Sequence, residues 1–341
     1  MKRNQKFLTT FLSGLLFCSY LSSQPTSIQN LEQQVMQWLK LPSISLQELH
    51  GGLTNTSFVA TYKKKSFVVR LGKENPESLG INRLREIACH KCAAQIGIAP
   101  TILYSDPTSG TLISSFIHGK TLTATDVCTN THLEKIVSLV KKCHAIPFKK
   151  EFETCSVYQP IREMLSRSMA YKNSFISDKQ AEKIKSALNK IEAHFQEKEK
   201  TFAGLCHCDL LAGNFIDDGT KLWLIDWEYA SWGNILFDLA SLCIESNFDE
   251  EKTKKTLQLY FGQTWHNHYF DFKLVCTIFN LRNALWYDLR GKEIEVIGSV
   301  SMKTYAQKHL TLFWQDIDKL VPDTINAERA LEILEPSVQL S

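Results

Sequence analysis

The sequence predicts an α+β fold of two lobes, a small strand-rich lobe followed by a larger helical one. Three observations lead there. Between Phe58 and Ile117, short β-branched and aromatic runs alternate with turn residues around one helical segment. After Gly119 the apolar spacing turns helical for most of the remaining chain. A chain of 341 residues is also long enough to bury two separate cores.

Lys2, Arg3 and Lys6 precede an apolar run from Phe7 to Leu21, followed by Ser22, Ser23, Gln24 and Pro25. Basic, apolar and small-residue regions in that order look like a secretory signal. The run is short for a membrane span and is diluted by Thr9, Thr10, Ser13 and Ser19. Residues 1–24 are therefore set apart as a hydrophobic extension, with a first lobe at 25–117 and a second at 118–335. Ile28, Leu31, Val35, Trp38 and Leu39 share one side of a predicted helix over 28–39. Gly51 to Ser57 is a turn-rich loop, after which Phe58–Tyr62 and Ser66–Leu71 read as a strand pair around a lysine tip at residues 63–65. A loop with Gly72 and Pro76 leads to a helix over Asn82–Gln95, stopped by Gly97 and Pro100. Thr101–Tyr104 and Thr111–Ile117 form a second strand pair around Asp106-Pro107.

In the second lobe, Leu133–His144 is periodic in apolar residues. Ser177 and Gln180 form a capping-box start for a helix whose inner face carries Ile184, Leu188, Ile191 and Phe195. The mixed charges from Glu197 to Lys200 read as a solvated helix end. Further helices are expected over Phe237–Glu245, Leu257–Phe261, Phe272–Leu289 and Tyr305–Leu320. The lobes should meet near Ser115–Gly119, where a cleft would open.

The hydrophobic fraction is 44%, the charged fraction 22% and the net charge only +3, which excludes a strongly basic nucleic-acid binder. No fixed-period repeat or low-complexity tract occurs. The ten cysteines show no disulfide-framework spacing, so reduced thiols are expected. Cys89 and Cys92 make a lone Cys-x-x-Cys with no second pair, and with helical neighbours Leu84, Ile87, Ala88 and Ala94 they read as core-packing thiols. Cys206 and Cys208 likewise read as small buried residues beside a functional segment.

That segment is His207-Cys208-Asp209-Leu210-Leu211-Ala212-Gly213-Asn214-Phe215, followed by Leu224-Ile225-Asp226-Trp227. A His, an Asp two residues on and an Asn five further on reproduce the spacing of a kinase catalytic loop, and the second Asp ends a short apolar run. Phosphoryl transfer needs a carboxylate to orient the attacking hydroxyl and oxygen ligands to hold Mg²⁺ against the triphosphate, and this segment supplies both. Three upstream features complete the set. The glycines of the Gly51–Ser57 loop let backbone N–H groups approach phosphates. Arg70 ends an apolar strand, and Glu86 on the next helix is placed to pair with it and fix its guanidinium on the phosphates.

On these residues the chain resembles the choline/ethanolamine kinase branch of the aminoglycoside-phosphotransferase-like kinases, from about Leu46 to Trp286. The matching pieces are Gly51-Gly52-Leu53-Thr54-Asn55, Val69-Arg70, Asn82-Arg83 with Glu86, His207-Cys208-Asp209 to Asn214, Ile225-Asp226-Trp227-Glu228-Tyr229 and Phe237-Asp238-Leu239-Ala240. The resemblance implies the two-lobed protein-kinase-like fold and an ATP- and Mg²⁺-dependent phosphotransferase. It implies Asp209 and His207 as the catalytic pair, Asp209 orienting the hydroxyl and His207 orienting the loop by hydrogen bonding. It implies Asn214 and Asp226 as Mg²⁺ ligands, and Asp238 as a structural residue holding loop backbone. Gly51, Gly52, Thr54, Asn55, Arg70, Glu86 and the backbone of Ser115 to Ile117 would contact the nucleotide.

The resemblance further implies an amino-alcohol acceptor, choline or ethanolamine, in a pocket of Tyr229, Glu245 and Trp286, where aromatic faces and a carboxylate hold the cationic head. The family often has a tryptophan where Asn283 stands, which leaves ethanolamine or thiamine open beside choline. A kinase of another small alcohol, of the thiamine or aminoglycoside kind, and a non-catalytic ligand-binding relative are the competing functions. Because the reaction consumes ATP, a cytoplasmic location is expected despite the signal-like start, with membrane contact confined to residues 7–21 and no nucleic-acid partner.

Overall fold

The computed structural model describes residues 28–49, 55–72, 80–153, 156–171, 174–292, 296–297 and 300–320. Gly51, Gly52 and Thr54 of the glycine loop, and the apolar segment within residues 1–24, lie outside the described residues.

The first lobe is a five-stranded antiparallel sheet in the order β1-β2-β3-β5-β4. Its strands are β1 (Ser45–Leu49), β2 (Asn55–Tyr62), β3 (Lys65–Gly72), β4 (Ile102–Asp106) and β5 (Thr111–Ser115). β3 pairs with β5, which leaves β4 at the edge, and the helix α2 (Arg83–Gln95) connects β3 to β4. Helix α1 (Ile28–Leu39) covers one face. Leu31 and Val35 from α1 close a small core with Phe58, Ala60, Val69 and Ile113, and Trp38 stacks on Tyr104 with ring centroids 4.9 Å apart. Ile28, expected on the inner side of α1, is 54% exposed because the helix only reaches the sheet one turn later.

Helix α2 packs in an unusual way. Its buried residues include Arg83, Arg85, Glu86 and His90, while Leu84 is 69% exposed. Cys89 and Cys92 are buried as expected. Arg85 Nε donates to the Ala230 carbonyl at 3.0 Å, so α2 is tied to the second lobe as well as the first.

The chain enters the second lobe through Gly119, where a Cβ would come within 2.5 Å of the Asp217 carbonyl oxygen. Only a residue without a side chain allows that crossing. β6 (Lys120–Thr121) then pairs with β8 (Phe215–Asp217), which pairs with β9 (Leu222–Leu224), while β7 (Ala203–Cys206) pairs with β10 (Ser231–Asn234). Around these ribbons lie α3 (Ala124–Val127), α4 (Asn130–His144), α5 (Tyr158–Met169), α6 (Asp178–Gln196), α7 (Glu199–Phe202), α8 (Leu236–Glu245), α9 (Glu250–Phe261), α10 (His266–Arg290) and α11 (Met302–Leu320). The Ser177–Gln180 capping box is present, with both reciprocal hydrogen bonds made. α10 is the central element, with Phe272, Leu274, Val275, Ile278, Leu281 and Leu285 all buried. Burial on nearly every side explains why it lacks a clear amphipathic stripe. No helix among the described residues is long and apolar enough to cross a membrane.

Candidate active site

The two ribbons place the catalytic segment. Phe215 of β8 lies opposite Leu224 of β9, and Ile225 N donates to the Asn214 carbonyl at 2.9 Å. Asn214, just before β8, and Asp226, just after β9, therefore come to the same end of one antiparallel pair. His207 follows β7 directly, so the Asp209 loop starts from the neighbouring ribbon. Two residues of this region have left-handed backbones, Cys208 at φ +64° and Asp226 at φ +65°. Non-glycine residues in that region cost about 1 kcal/mol or more each, and surrounding contacts must hold them.

Asp238, at the start of α8, is one such contact. Its buried carboxylate accepts from His207 N at 2.8 Å, Cys208 N at 2.7 Å and His144 Nε2 at 3.0 Å. Burial alone would raise its pKa, but His144 and the loop N–H groups outweigh that and hold it below the usual carboxylate range. His207 is itself fully buried, packs edge-on against Trp227 and donates Nε2–H to the Ile225 carbonyl at 2.9 Å. It joins the Asp209 loop to the Asp226 segment from behind and does not line the cleft. Its place is that of a positioning residue, since no substrate atom can reach its ring there.

A cavity of about 690 Å³ opens between the lobes and brings together Asn55, Arg70, Ser115, Ile117, Asp209, Asn214, Asp226, Tyr229, Glu245 and Trp286. Asn214 Nδ2 donates to the Asp209 carbonyl at 2.8 Å and to its carboxylate at 3.1 Å, which leaves the Asn214 side-chain Oδ1 as the ligand atom for a hard cation. Burial pushes the Asp209 pKa up to about 6, against the opposing pull of Arg282 and Asn214. Asp226 rises to about 7, through burial and then the charge of Glu228, with Arg70 opposing. A crowded set of carboxylates with raised pKa values is the electrostatic demand that a bound divalent cation relieves, so these oxygen ligands fit Mg²⁺.

Behind the cavity, Arg70 Nη1 pairs with Glu86, as the spacing led us to expect. The sequence did not reveal how far that pair extends. Arg83 donates to Glu86 at 2.8 Å and to Asn55 Oδ1 at 3.0 Å, and Asn55 Nδ2 donates to Glu228 at 2.9 Å. Burial alone would raise the Glu86 pKa, yet the two arginines bring it below its ordinary value. Arg70 Nε is buried and has no hydrogen-bond partner among the described residues.

In the same cavity, Tyr229, Glu245 and Trp286 are joined by Arg282, Asn283, Tyr287 and Tyr305, four residues not singled out as binding groups from the sequence. Asn283 Nδ2 donates to Glu245 at 2.6 Å, and burial raises the Glu245 pKa despite that bond. Tyr287 and Tyr305 meet at 5.2 Å between centroids, α11 supplying the second ring. Tyr287 directly follows Trp286, but only the packing of α10 on α11 could reveal that both face one cavity.

Residues 46–264 match the sequence profile of the family described as Choline/ethanolamine kinase. Protein LicA of Haemophilus influenzae is 26% identical over 296 residues, covering 84% of this chain and 84% of that protein. Among solved structures, the choline kinase LicA from Streptococcus pneumoniae superposes with a TM-score of 0.67 at 22% identity, over 84% of this chain and 98% of that one. A LicA complex with AMP superposes at 0.69 and 21% identity over the same shares. The two-lobed fold is thus the kinase-like one.

Proposed function

The chain belongs to the choline/ethanolamine kinase family, and from that membership we propose that it transfers the γ-phosphoryl group of ATP to the hydroxyl of an amino-alcohol, choline or ethanolamine. One observation supports this most. A single cavity is lined by Arg70, Asn214 and Asp226, by Asp209, and by Glu245 with the aromatic rings of Tyr229 and Trp286.

The nucleotide would lie against β3 and β5. The N–H groups of Ser115 and Phe116 already donate to the Thr101 and Ser66 carbonyls, so Ile117 is the candidate backbone donor to the base. Arg70, oriented by Glu86, would meet phosphate oxygens through its guanidinium. Asn214 and Asp226 would hold Mg²⁺, which when bound neutralises charge on the β- and γ-phosphates. Asp209 accepts the acceptor's O–H proton as the new O–P bond forms and the bond to ADP breaks. A carboxylate with a pKa of about 6 suits that task near neutral pH better than an ordinary one. Glu245 with Tyr229 and Trp286 would hold the ammonium head.

The test is ADP release by the purified protein with Mg²⁺-ATP and a panel of choline, ethanolamine, thiamine, an aminoglycoside and neutral alcohols of matched size. Turnover should be confined to the first two. Activity only with thiamine or the aminoglycoside would leave a kinase with a different acceptor, and no activity with any alcohol would point to a binding protein.

A further inference from the structure

The acceptor part of the cavity contains a cation of the protein's own. Arg282 of α10 lines it, with its guanidinium carbon 5.9 Å from the Tyr229 ring centroid and 5.6 Å from that of Phe279. The neighbouring Asn283 is buried and donates to Glu245 Oε1 at 2.6 Å, while its own Oδ1 faces Arg282 Nη1 at 3.4 Å. Of the groups assigned to an ammonium head, one ring is thus already covered by a guanidinium, and one carboxylate oxygen is already engaged by an amide.

A quaternary ammonium depends on aromatic faces, because it has no N–H to donate. It is also bulky, so it cannot approach Glu245 as closely as a group that hydrogen-bonds. Arg282 competes for the Tyr229 ring and adds like charge beside it. A primary ammonium is affected far less. Its N–H groups can reach Glu245 Oε2 and the Asn283 Oδ1, both acceptors, and the short N–H···O contact makes better use of a buried carboxylate.

Resting on the function proposed above, we propose that Arg282 and Asn283 are specificity-determining residues that make this an acceptor site for a primary-ammonium alcohol in preference to a quaternary one. The experiment compares kcat/KM at saturating Mg²⁺-ATP for ethanolamine and its mono-, di- and trimethylated forms, the last being choline. The wild-type protein should lose efficiency with each methyl group, at least about tenfold from first to last, as a site built for hydrogen bonding rejects an analogue that cannot donate. Arg282→Met uncovers Tyr229, and Asn283→Leu frees Glu245 and adds apolar surface. Each should move the choline-to-ethanolamine ratio several-fold toward choline, and the ratio is independent of any general loss of turnover. Competition against the wild-type protein gives a readout that needs no variant, with ethylammonium expected to inhibit more strongly than tetramethylammonium.

Equal or better use of choline by the wild type, stronger inhibition by tetramethylammonium, or an unchanged ratio in both folded variants would each overturn the specificity assignment while leaving the amino-alcohol kinase intact. Absence of turnover with every member of the series, alongside turnover of another alcohol, would overturn both together.

Discussion

Asp209→Asn is expected to abolish turnover and at the same time to stabilise the ligand-free protein. Burial lifts the Asp209 pKa from 3.8 to about 6, with Arg282 and Asn214 only partly compensating. That rise means the folded state disfavours the ionised carboxylate by about 3 kcal/mol, an upper figure for what removing the charge can return. The sign follows from linkage. A carboxyl whose folded pKa lies above its unfolded value binds more protons when folded, so its cost is absent below about pH 4. That cost grows between pH 4 and 6 and is complete above pH 6. Asparagine carries no charge, and its carbonyl can still accept from Asn214 Nδ2, which now bonds the carboxylate at 3.1 Å. Urea unfolding followed by tryptophan fluorescence at pH 5, 6 and 7.5 should show the variant gaining up to about 2–3 kcal/mol at the highest pH and less at pH 5. Turnover should fall by at least about a hundredfold, the scale of a lost proton acceptor. A variant that is no more stable than the wild type at pH 7.5, or whose gain does not change with pH, would refute the electrostatic reasoning. One that keeps most of its turnover would refute the role of Asp209.

Other perturbations test the rest of the site. Asp226→Ala should weaken Mg²⁺-dependent nucleotide binding and Asn214→Ala should raise the metal concentration needed for activity; superimposable metal titrations with the wild type would count against both ligands. Arg70→Lys should lose activity despite keeping the charge, because lysine cannot contact Glu86 and a phosphate together through one planar fork, and equal ATP affinity in the two proteins would remove that role. Asp238→Asn replaces an acceptor for three donors by a group with one acceptor oxygen, and should cost about 3–5 kcal/mol in urea unfolding together with a fall in kcat larger than the change in KM for ATP. Unchanged unfolding and kinetics would show that the loop does not depend on this carboxylate. A protein lacking residues 1–24 should fold and turn over like the full chain, with ATP-dependent ADP release as the measure.

What the sequence could and could not reveal depends on where each signal resides. Helix α1 was bounded correctly because its apolar spacing is local, and the Ser177 cap because both partners lie within four residues. The Asn214 and Asp226 juxtaposition was legible because a strand–turn–strand unit fixes it within one short segment. Helix α5 was not among the expected helices although Tyr158, Ile161 and Leu165 have helical spacing; its Pro160 is tolerated because it falls in the first turn. β1 shows no apolar alternation, being exposed at nearly every residue, and owes its form to pairing with β2. α2 gave the most misleading pattern. Cys89, Cys92 and Ala93 mark its buried face, but in the first turn that face is filled by arginines whose partners Glu228 and Ala230 lie 145 residues away. Arg282 was opaque, since its meaning comes from Tyr229 in a distant segment, and Asn283 stood out only as a missing tryptophan, its bond to Glu245 on a different helix being invisible.

These exceptions share a cause, and it bears on how the site works. Hydrophobic patterning positions the ribbons and α10, but the cleft itself is assembled from groups that patterning disfavours. Asp209 and Asp226 are ionised reluctantly, and Cys208 and Asp226 hold left-handed backbones. Each of these would relax if its surroundings allowed it. Asp238 prevents that at Cys208 by gripping its N–H and that of His207, and His207 extends the restraint to Ile225, next to Asp226. Arg70 and Arg83 offset the carboxylates from the other lobe through Glu86, Asn55 and Glu228. Asp209 and Asp226 thus line the cavity, while Asp238, His207 and Glu86, which hold the surrounding groups in place, do not. Substitution in the first set should therefore remove activity while sparing or improving the fold. Substitution in the second set should damage both, and that contrast between Asp209→Asn and Asp238→Asn separates residues that act on substrate from residues that hold them in place.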